Sequence, residues 1–187
     1  MDYSYFRKVL LSQFFAVVRR PWLLPQLFLN KKEDIWINHN AKAWLEKNVG
    51  GKKIFEFGCG YSTDFLAGLC GQIISVEDNS DWFKKANSSK KNNKKIILRT
   101  KKKDYVSEVS KHGLFDIVYV DGSHREECAK EGWKYLKKGG VLILDDVNSP
   151  KHAKHIYDSF TSNSKFKLGG LKSNTGGYWE TGFVFKE

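Results

Sequence analysis

The ten residues Ile54-Phe55-Glu56-Phe57-Gly58-Cys59-Gly60-Tyr61-Ser62-Thr63 constrain this chain more than any other stretch. They open with an apolar run, which reads as a buried strand. The run breaks at Gly58 and Gly60, and helix-compatible residues resume from Asp64 to Leu69. A strand, a glycine turn and a helix present backbone N–H groups and a positive helix end to a ligand. Glycine suits such a turn because a Cβ would block the ligand's approach and resist the dihedrals. The same residues also suit an ordinary strand-to-helix turn, so the rest of the chain has to decide.

At 187 residues the chain is one domain with room for a real core. Its apolar content of 41% excludes a disordered chain. The cysteines Cys59, Cys70 and Cys128 are odd in number and form no CxxC pair. That points away from a disulfide framework or zinc knuckle and towards a reducing, cytoplasmic compartment. The net charge of +11 is local. Lys84 to Lys103 holds ten Lys/Arg and no acid, so the remainder is nearly neutral.

Residues 1–49 read as an N-terminal helical extension and 50–187 as the ligand-binding domain. Tyr3, Phe6, Val9, Leu10, Phe14, Val17 and Val18 recur at helical spacing and predict an amphipathic helix. Pro21 ends it. The charge-free run Val9 to Val18 is too short to span a bilayer. Asp2 stands where a signal peptide carries positive charge. The expectation is a helix that packs on its own domain or on a second subunit; peripheral contact with a membrane surface is the other reading.

Asn30 to Val49 reads as a second helix, closed by Gly50-Gly51. Strands are expected at Ile54–Phe57, Gln72–Val76, Lys95–Arg99, Asp116–Val120 and Val141–Leu144. Two more are expected at Lys165–Leu168 and Gly182–Phe185, joined by a glycine-rich connection. Helices fall between them, at Ser80–Asn87, His124–Lys138 and Lys151–Phe160 among others. Apolar strands alternating with helices predict an α/β fold, a mostly parallel sheet covered on both faces.

Four strands carry an acid at or near the C-terminal end: Glu56, Glu77, Asp121 and the pair Asp145/Asp146. Ligands bind at that edge of an open parallel sheet. Unpaired carboxylates are costly in a core, so together they mark a site. Glu77 lies 17 residues beyond Gly60, where a carboxylate can take both hydroxyls of a ribose. Thr63 stands where a dinucleotide fold prefers a third glycine. Glu56 would repel a pyrophosphate but can hold a cationic amino group, directly or through water. That favours S-adenosylmethionine over NAD.

With these residues in place, the chain resembles the class I S-adenosylmethionine-dependent methyltransferases. The matching residues are Phe55 to Thr63, Val76-Glu77, Tyr119-Val120-Asp121-Gly122-Ser123-His124 and Leu136 to Asp146. The Asp-Gly-Ser-His and Gly-Gly-(x)4-Asp-Asp motifs are similar to a subgroup of small-molecule and sugar O-methyltransferases. The resemblance implies a Rossmann-like, doubly wound seven-stranded sheet with the last strand antiparallel. It implies cofactor contacts at Glu56, Gly58, Gly60, Ser62, Glu77 and Asp121, and a weaker one at Asp104-Tyr105 beside the adenine. In metal-dependent relatives the strand-end aspartates hold the ion, here Asp121, Asp145 and Asp146. Mg²⁺ would suit such oxygen ligands. Val147 stands where the catechol-type enzymes place an amide. Whether a metal binds, or an aspartate caps the next helix, stays open.

Methyl transfer asks the protein to position an acceptor and remove its proton. Asp121, His124 and Asp146 are the candidate catalytic residues. The expected partner is a small hydroxylated acceptor, and Lys101 to Lys103 would suit an anionic one. Two alternatives stand beside this. One is a nucleic-acid-binding or nucleic-acid-modifying protein using the lysine-rich 84–103 surface. The other is an NAD-dependent oxidoreductase. Asn174 to Thr181 either shapes an acceptor pocket or forms a hairpin turn.

Overall fold

The computed structural model describes residues 3–29, 35–172 and 177–187. Asn30 to Asp34 of the expected second helix, and Asn174 to Gly176 of the glycine-rich connection, lie outside the described residues. So do the side chains of Tyr3, Phe6, Val9 and Leu10.

Seven strands form one sheet: β1 (Lys53–Phe57), β2 (Gln72–Glu77), β3 (Lys94–Leu98), β4 (Phe115–Val120), β5 (Leu136–Leu144), β6 (Lys165–Leu171) and β7 (Tyr178–Phe185). Their order is β3-β2-β1-β4-β5-β7-β6. The pairs from β3 through β5 are parallel, and β7 runs antiparallel to both β5 and β6. This is the expected Rossmann-like sheet. The chain leaves β1 towards β2 on one side and returns at β4 on the other, so a crevice opens at the carboxyl ends of β1, β2 and β4. Phe57 pairs with Val76 and Val120, which brings those three ends level.

Apolar side chains cover both faces of the sheet. One layer centres on Phe55, Phe57, Val118, Leu142 and Val184, the other on Ile54, Ile73, Ile117, Ile143 and Phe183. The alternation along each strand sends successive residues to opposite faces. The helices packed on these layers are α2 (His39–Asn48), α3 (Tyr61–Ala67), α4 (Ser80–Ala86), α5 (Lys102–Ser107), α6 (Arg125–Lys134) and α7 (Lys154–Ser159). Two are capped by asparagine. Asn38 accepts the Ala41 N–H at 3.0 Å, and Asn79 accepts those of Asp81 and Trp82 at 2.9 and 3.1 Å.

Three boundaries differ from expectation. The second helix starts only at His39, because Asn38 caps it and pairs across to Lys172 as an isolated bridge. Residues Tyr135 to Lys138 leave the sixth helix, and β5 starts at Leu136. Leu136 pairs with Phe115, and a register shift before Ile117 lets Lys137 to Gly140 loop out. The last two strands are also longer than their apolar centres, since β6 and β7 pair from Lys165↔Val184 to Leu171↔Tyr178.

The N-terminal helix α1 (Tyr3–Arg19) is followed by a 3-10 segment, Pro21–Leu29. Both rest on the ends of β6 and β7, where Ala16, Leu23 and Leu171 are buried together with Val17 and Tyr178 against them. Phe14 and Val18, expected on the packing face, are 61% and 60% exposed. Apolar residues run round this helix, and the domain takes the side bearing Gln13 and Ala16.

Candidate ligand-binding and catalytic site

A cavity of about 330 Å³ opens at the carboxyl ends of β1, β2 and β4. Its floor is Gly58, Cys59 and Gly60, with Ser62 at the start of α3. Glu77, Asp78 and Asn79 form one side, and Asp121, Gly122 and Ser123 the other. Trp36, Tyr61 and Trp82 make an aromatic wall, the two tryptophan rings meeting edge to face at 5.3 Å.

Two glycines bring the β1 and β4 ends together. Gly58 has φ +89, and a Cβ there would lie 2.6 Å from the Gly122 Cα. A Cβ on Gly122 would lie 2.8 Å from the Gly58 Cα and 2.2 Å from the Tyr105 hydroxyl. The demand for glycine at 58 is therefore set by the neighbouring turn as well as by dihedral strain. Tyr105, expected near the ligand, is instead fully buried behind Gly122, and its hydroxyl has no partner among the described residues.

Glu77 is nearly buried and held by backbone. Its Oε2 accepts the Cys59 N–H at 2.7 Å, and its Oε1 accepts those of Asp78 and Asn79 at 3.1 and 2.9 Å. One carboxylate thus fixes the glycine turn and the β2 loop around the same cavity.

Glu56 does not line the cavity. It has no exposed surface, and it accepts hydrogen bonds from the hydroxyls of Ser62, Thr63 and Ser75, each at 2.6 Å. Burial raises its carboxyl from 4.5 to about 7, although the three hydroxyls pull the other way. Ser62 stands between Glu56 and the cavity. Thr63 hydroxyl also accepts the Gly60 N–H at 3.0 Å, so the residue found in place of a third glycine ties the turn to Glu56.

The ends of β4 and β5 carry a charge cluster. Asp121, Asp145 and Asp146 offer carboxylate oxygens within 4.8 Å of one another, as the sequence implied. That donor set would suit a hard divalent cation. Two protein cations already serve it. The Lys172 ammonium donates to Asp145 Oδ2 and Asp146 Oδ1, both at 2.6 Å. The Arg125 guanidinium donates to Asp121 Oδ1 at 2.8 Å and stands 3.5 Å from Asp146 Oδ2. It also bonds the main-chain oxygens of Asp121, Gly122 and Asp145. A metal ion would have to displace both cations, so the residues as arranged do not fit one. Thr181 completes the cluster by donating to Asp145 Oδ1 at 2.8 Å.

Asp121 and Asp145 bind protons more tightly than an ordinary carboxylate. Burial is the main cause for Asp121, with the Asp145 charge beside it. Asp145 moves up for the same first reason, opposed by Lys172. The Lys172 ammonium is held protonated by Asp145, Asp121 and Asp146 against the effect of its own burial.

His124 caps α6 in the left-handed region, φ 52, and is exposed just beyond the cavity-lining Ser123. Asp146 also has positive φ, 59, which turns its carboxylate back to Lys172 and Arg125. Gly58, Gly60, Ser62, Glu77 and Asp121 all meet at the cavity; Glu56, His124, Asp145 and Asp146 lie behind or beside it. The sequence reading missed Arg125, Lys172, Trp36 and Trp82. Only Arg125 carried a usable signal, as a cation one helical turn from Asp121.

No protein-family model matches the chain, and no curated protein sequence matches it. Solved structures do. An O-methyltransferase from Bacillus cereus, determined in complex with S-adenosylhomocysteine, superposes with a TM-score of 0.67 at 18% identity, over 97% of this chain and 100% of that one. The O-methyltransferase TomG from Streptomyces achromogenes, involved in tomaymycin synthesis and determined with S-adenosylmethionine, gives 0.62 at 16% identity over 100% of both chains. The N-methyltransferase NodS from Bradyrhizobium japonicum WM9, with S-adenosylhomocysteine, gives 0.59 at 16% identity, over 78% of this chain and 84% of that one. The chain therefore has the Rossmann-like fold that these methyltransferases share.

Proposed function

We propose that the protein is an S-adenosylmethionine-dependent methyltransferase that methylates a hydroxyl of a small, sugar-like or natural-product acceptor. One observation carries the reading: Gly58, Gly60, Ser62, Glu77 and Asp121 converge on a single cavity at the switch point of the sheet. Structural neighbours that bind this cofactor place it in the same fold class and support the assignment.

In this reading Glu77 takes the ribose hydroxyls, and the glycine turn admits the rest of the cofactor. Ser62 donates its hydroxyl hydrogen bond to Glu56, which leaves its oxygen lone pairs free to accept from a cationic amino group. Glu56 acts through Ser62 and supplies negative charge from behind. Asp121 faces the cavity and, with its raised proton affinity, is a better base than an ordinary carboxylate. The bound cofactor would supply an electrophilic methyl group on its sulfonium, and Asp121 would take the proton of the acceptor hydroxyl as that oxygen attacks. Lys172 and Arg125 hold the strand ends in place and occupy the carboxylates that a metal ion would need.

Six cations of the lysine-rich window already have partners. Lys94 is buried against Asp64 at 2.7 Å, Arg99 pairs with Glu108 at 2.7 Å, and Lys102 with Glu127 at 2.5 Å. Lys84 pairs with Asp81, Lys85 donates to Tyr61, and Lys91 to the Asp64 carbonyl. This argues for a small-molecule acceptor over nucleic acid, which needs a continuous basic stripe. The test is transfer of labelled methyl from S-adenosylmethionine to a panel of hydroxylated small molecules, with Mg²⁺ and with chelator. The expected outcome is turnover of at least one acceptor, equal in both conditions. Turnover that appears only with Mg²⁺ would overturn the metal-free reading.

A further inference from the structure

We propose that the outer face of the N-terminal helix docks the protein on an anionic membrane surface. The helix is apolar on two sides. Gln13 and Ala16 turn inward, and Val17 and the following Leu23 pack with them. Leu11, Phe14, Phe15 and Val18 lie together on the opposite side at helical spacing and are 48% to 61% exposed. Trp22 and Leu24 extend the apolar surface into the 3-10 segment, with Trp22 the most exposed at 71%. A helix that is apolar all round is normally covered on every side.

Charge decides what covers this one. Between Asp2 and Glu33 the sequence has no acid and six cations: Arg7, Lys8, Arg19, Arg20, Lys31 and Lys32. Two copies meeting through this segment would bring two cation-rich, acid-free stretches together, with Arg19 exposed among the described residues. An anionic lipid surface neutralises them and accepts the apolar side chains at the acyl boundary. The aromatic residues Phe14, Phe15 and Trp22 suit that boundary. No helix among the described residues is long and apolar enough to cross a membrane, so the contact is a surface one.

The same placement has a consequence for the site. The helix rests on Leu171 and Tyr178, and Leu171 adjoins Lys172 of the charge cluster. Docking would therefore set the carboxyl edge of the parallel strands beside the membrane. The proposal does not depend on the methyltransferase reading.

The test is co-sedimentation of the full chain with vesicles of phosphatidylcholine alone and of phosphatidylcholine with phosphatidylglycerol. Binding is expected only to the anionic vesicles and should fall as salt rises. The exposed pair Phe14→Ser/Phe15→Ser should weaken it by at least about tenfold, since each ring loses its apolar burial. Arg19→Glu, on the exposed surface, should weaken it without touching the apolar face. Thermal unfolding and circular dichroism confirm that each variant is folded. Absence of binding to anionic vesicles would overturn the proposal. So would a dimer in sedimentation equilibrium that the Phe14/Phe15 variant dissociates, since that assigns the face to a second copy.

Discussion

Glu56 accepts three hydroxyl hydrogen bonds and still has its carboxyl raised to about 7, so burial outweighs them. A raised carboxyl means that the folded state binds the proton more tightly than the unfolded one. Stability from this group is full below 4.5 and is lost as pH rises to about 7. The shift corresponds to about 3 kcal/mol. Glu56→Gln should remove that slope, so in urea denaturation the stability of the variant relative to the unaltered protein should rise as pH goes from 5 to 8. Parallel curves would contradict the assignment. Gly58→Ala tests the turn by a different route. Its Cβ meets Gly122 backbone at 2.6 Å and its φ is +89, so a loss of about 2–4 kcal/mol is expected in the same assay. At this scale the sequence revealed the residue types but not their partners. Glu56 was legible as an acid beside the glycine turn. That Ser75 would reach it follows from the pairing of Glu56 with Ser75 across β1 and β2, and that Ser62 and Thr63 would follows from the way the glycine turn folds α3 back over β1.

The paired ends of β4 and β5 depend on cations supplied by other elements. Arg125 comes from α6 and Lys172 from the end of β6, 27 residues beyond Asp145. Local sequence could show the three aspartates and suggest a metal, because Lys172 reaches them only through the β7 crossover. Removing one partner of a buried ion pair typically costs about 3–5 kcal/mol. Lys172→Met should therefore destabilise the protein by about that amount. It should also let Asp145 and Asp146 bind a divalent cation, read as calcium or magnesium heat in titration calorimetry. The unaltered protein should show no such heat; saturable binding there would contradict the role given to Lys172. Helices were read with uneven success for a related reason. Helix α4, which begins at the Asn79 cap, matched closely. The β5 start was hidden because Lys137 and Lys138 are helix-compatible, whereas Leu136 pairs with Phe115 of β4 and Lys137 to Gly140 loop out.

The whole molecule is a sheet whose order places one crevice at the ends of β1, β2 and β4. The mostly parallel sheet was legible from alternating strands and helices, its seven-stranded topology only through the family resemblance, and the acids at the strand ends located the edge. The aromatic wall was not, since Trp36 and Trp82 come from segments on either side of the glycine turn. If Asp121 is the base, Asp121→Asn should lower kcat by about 10²–10⁴, a larger effect than its weakening of cofactor binding. The acid limb of kcat should lie above the ordinary carboxylate range, because burial raises Asp121. The most direct measurement is calorimetric titration with S-adenosylhomocysteine, with NAD as control and with Glu77→Ala beside the unaltered chain. Micromolar binding of S-adenosylhomocysteine alone, unchanged by chelator and lost in Glu77→Ala, is the predicted result. A folded protein that fails to bind it, or that binds NAD instead, would contradict the methyltransferase account.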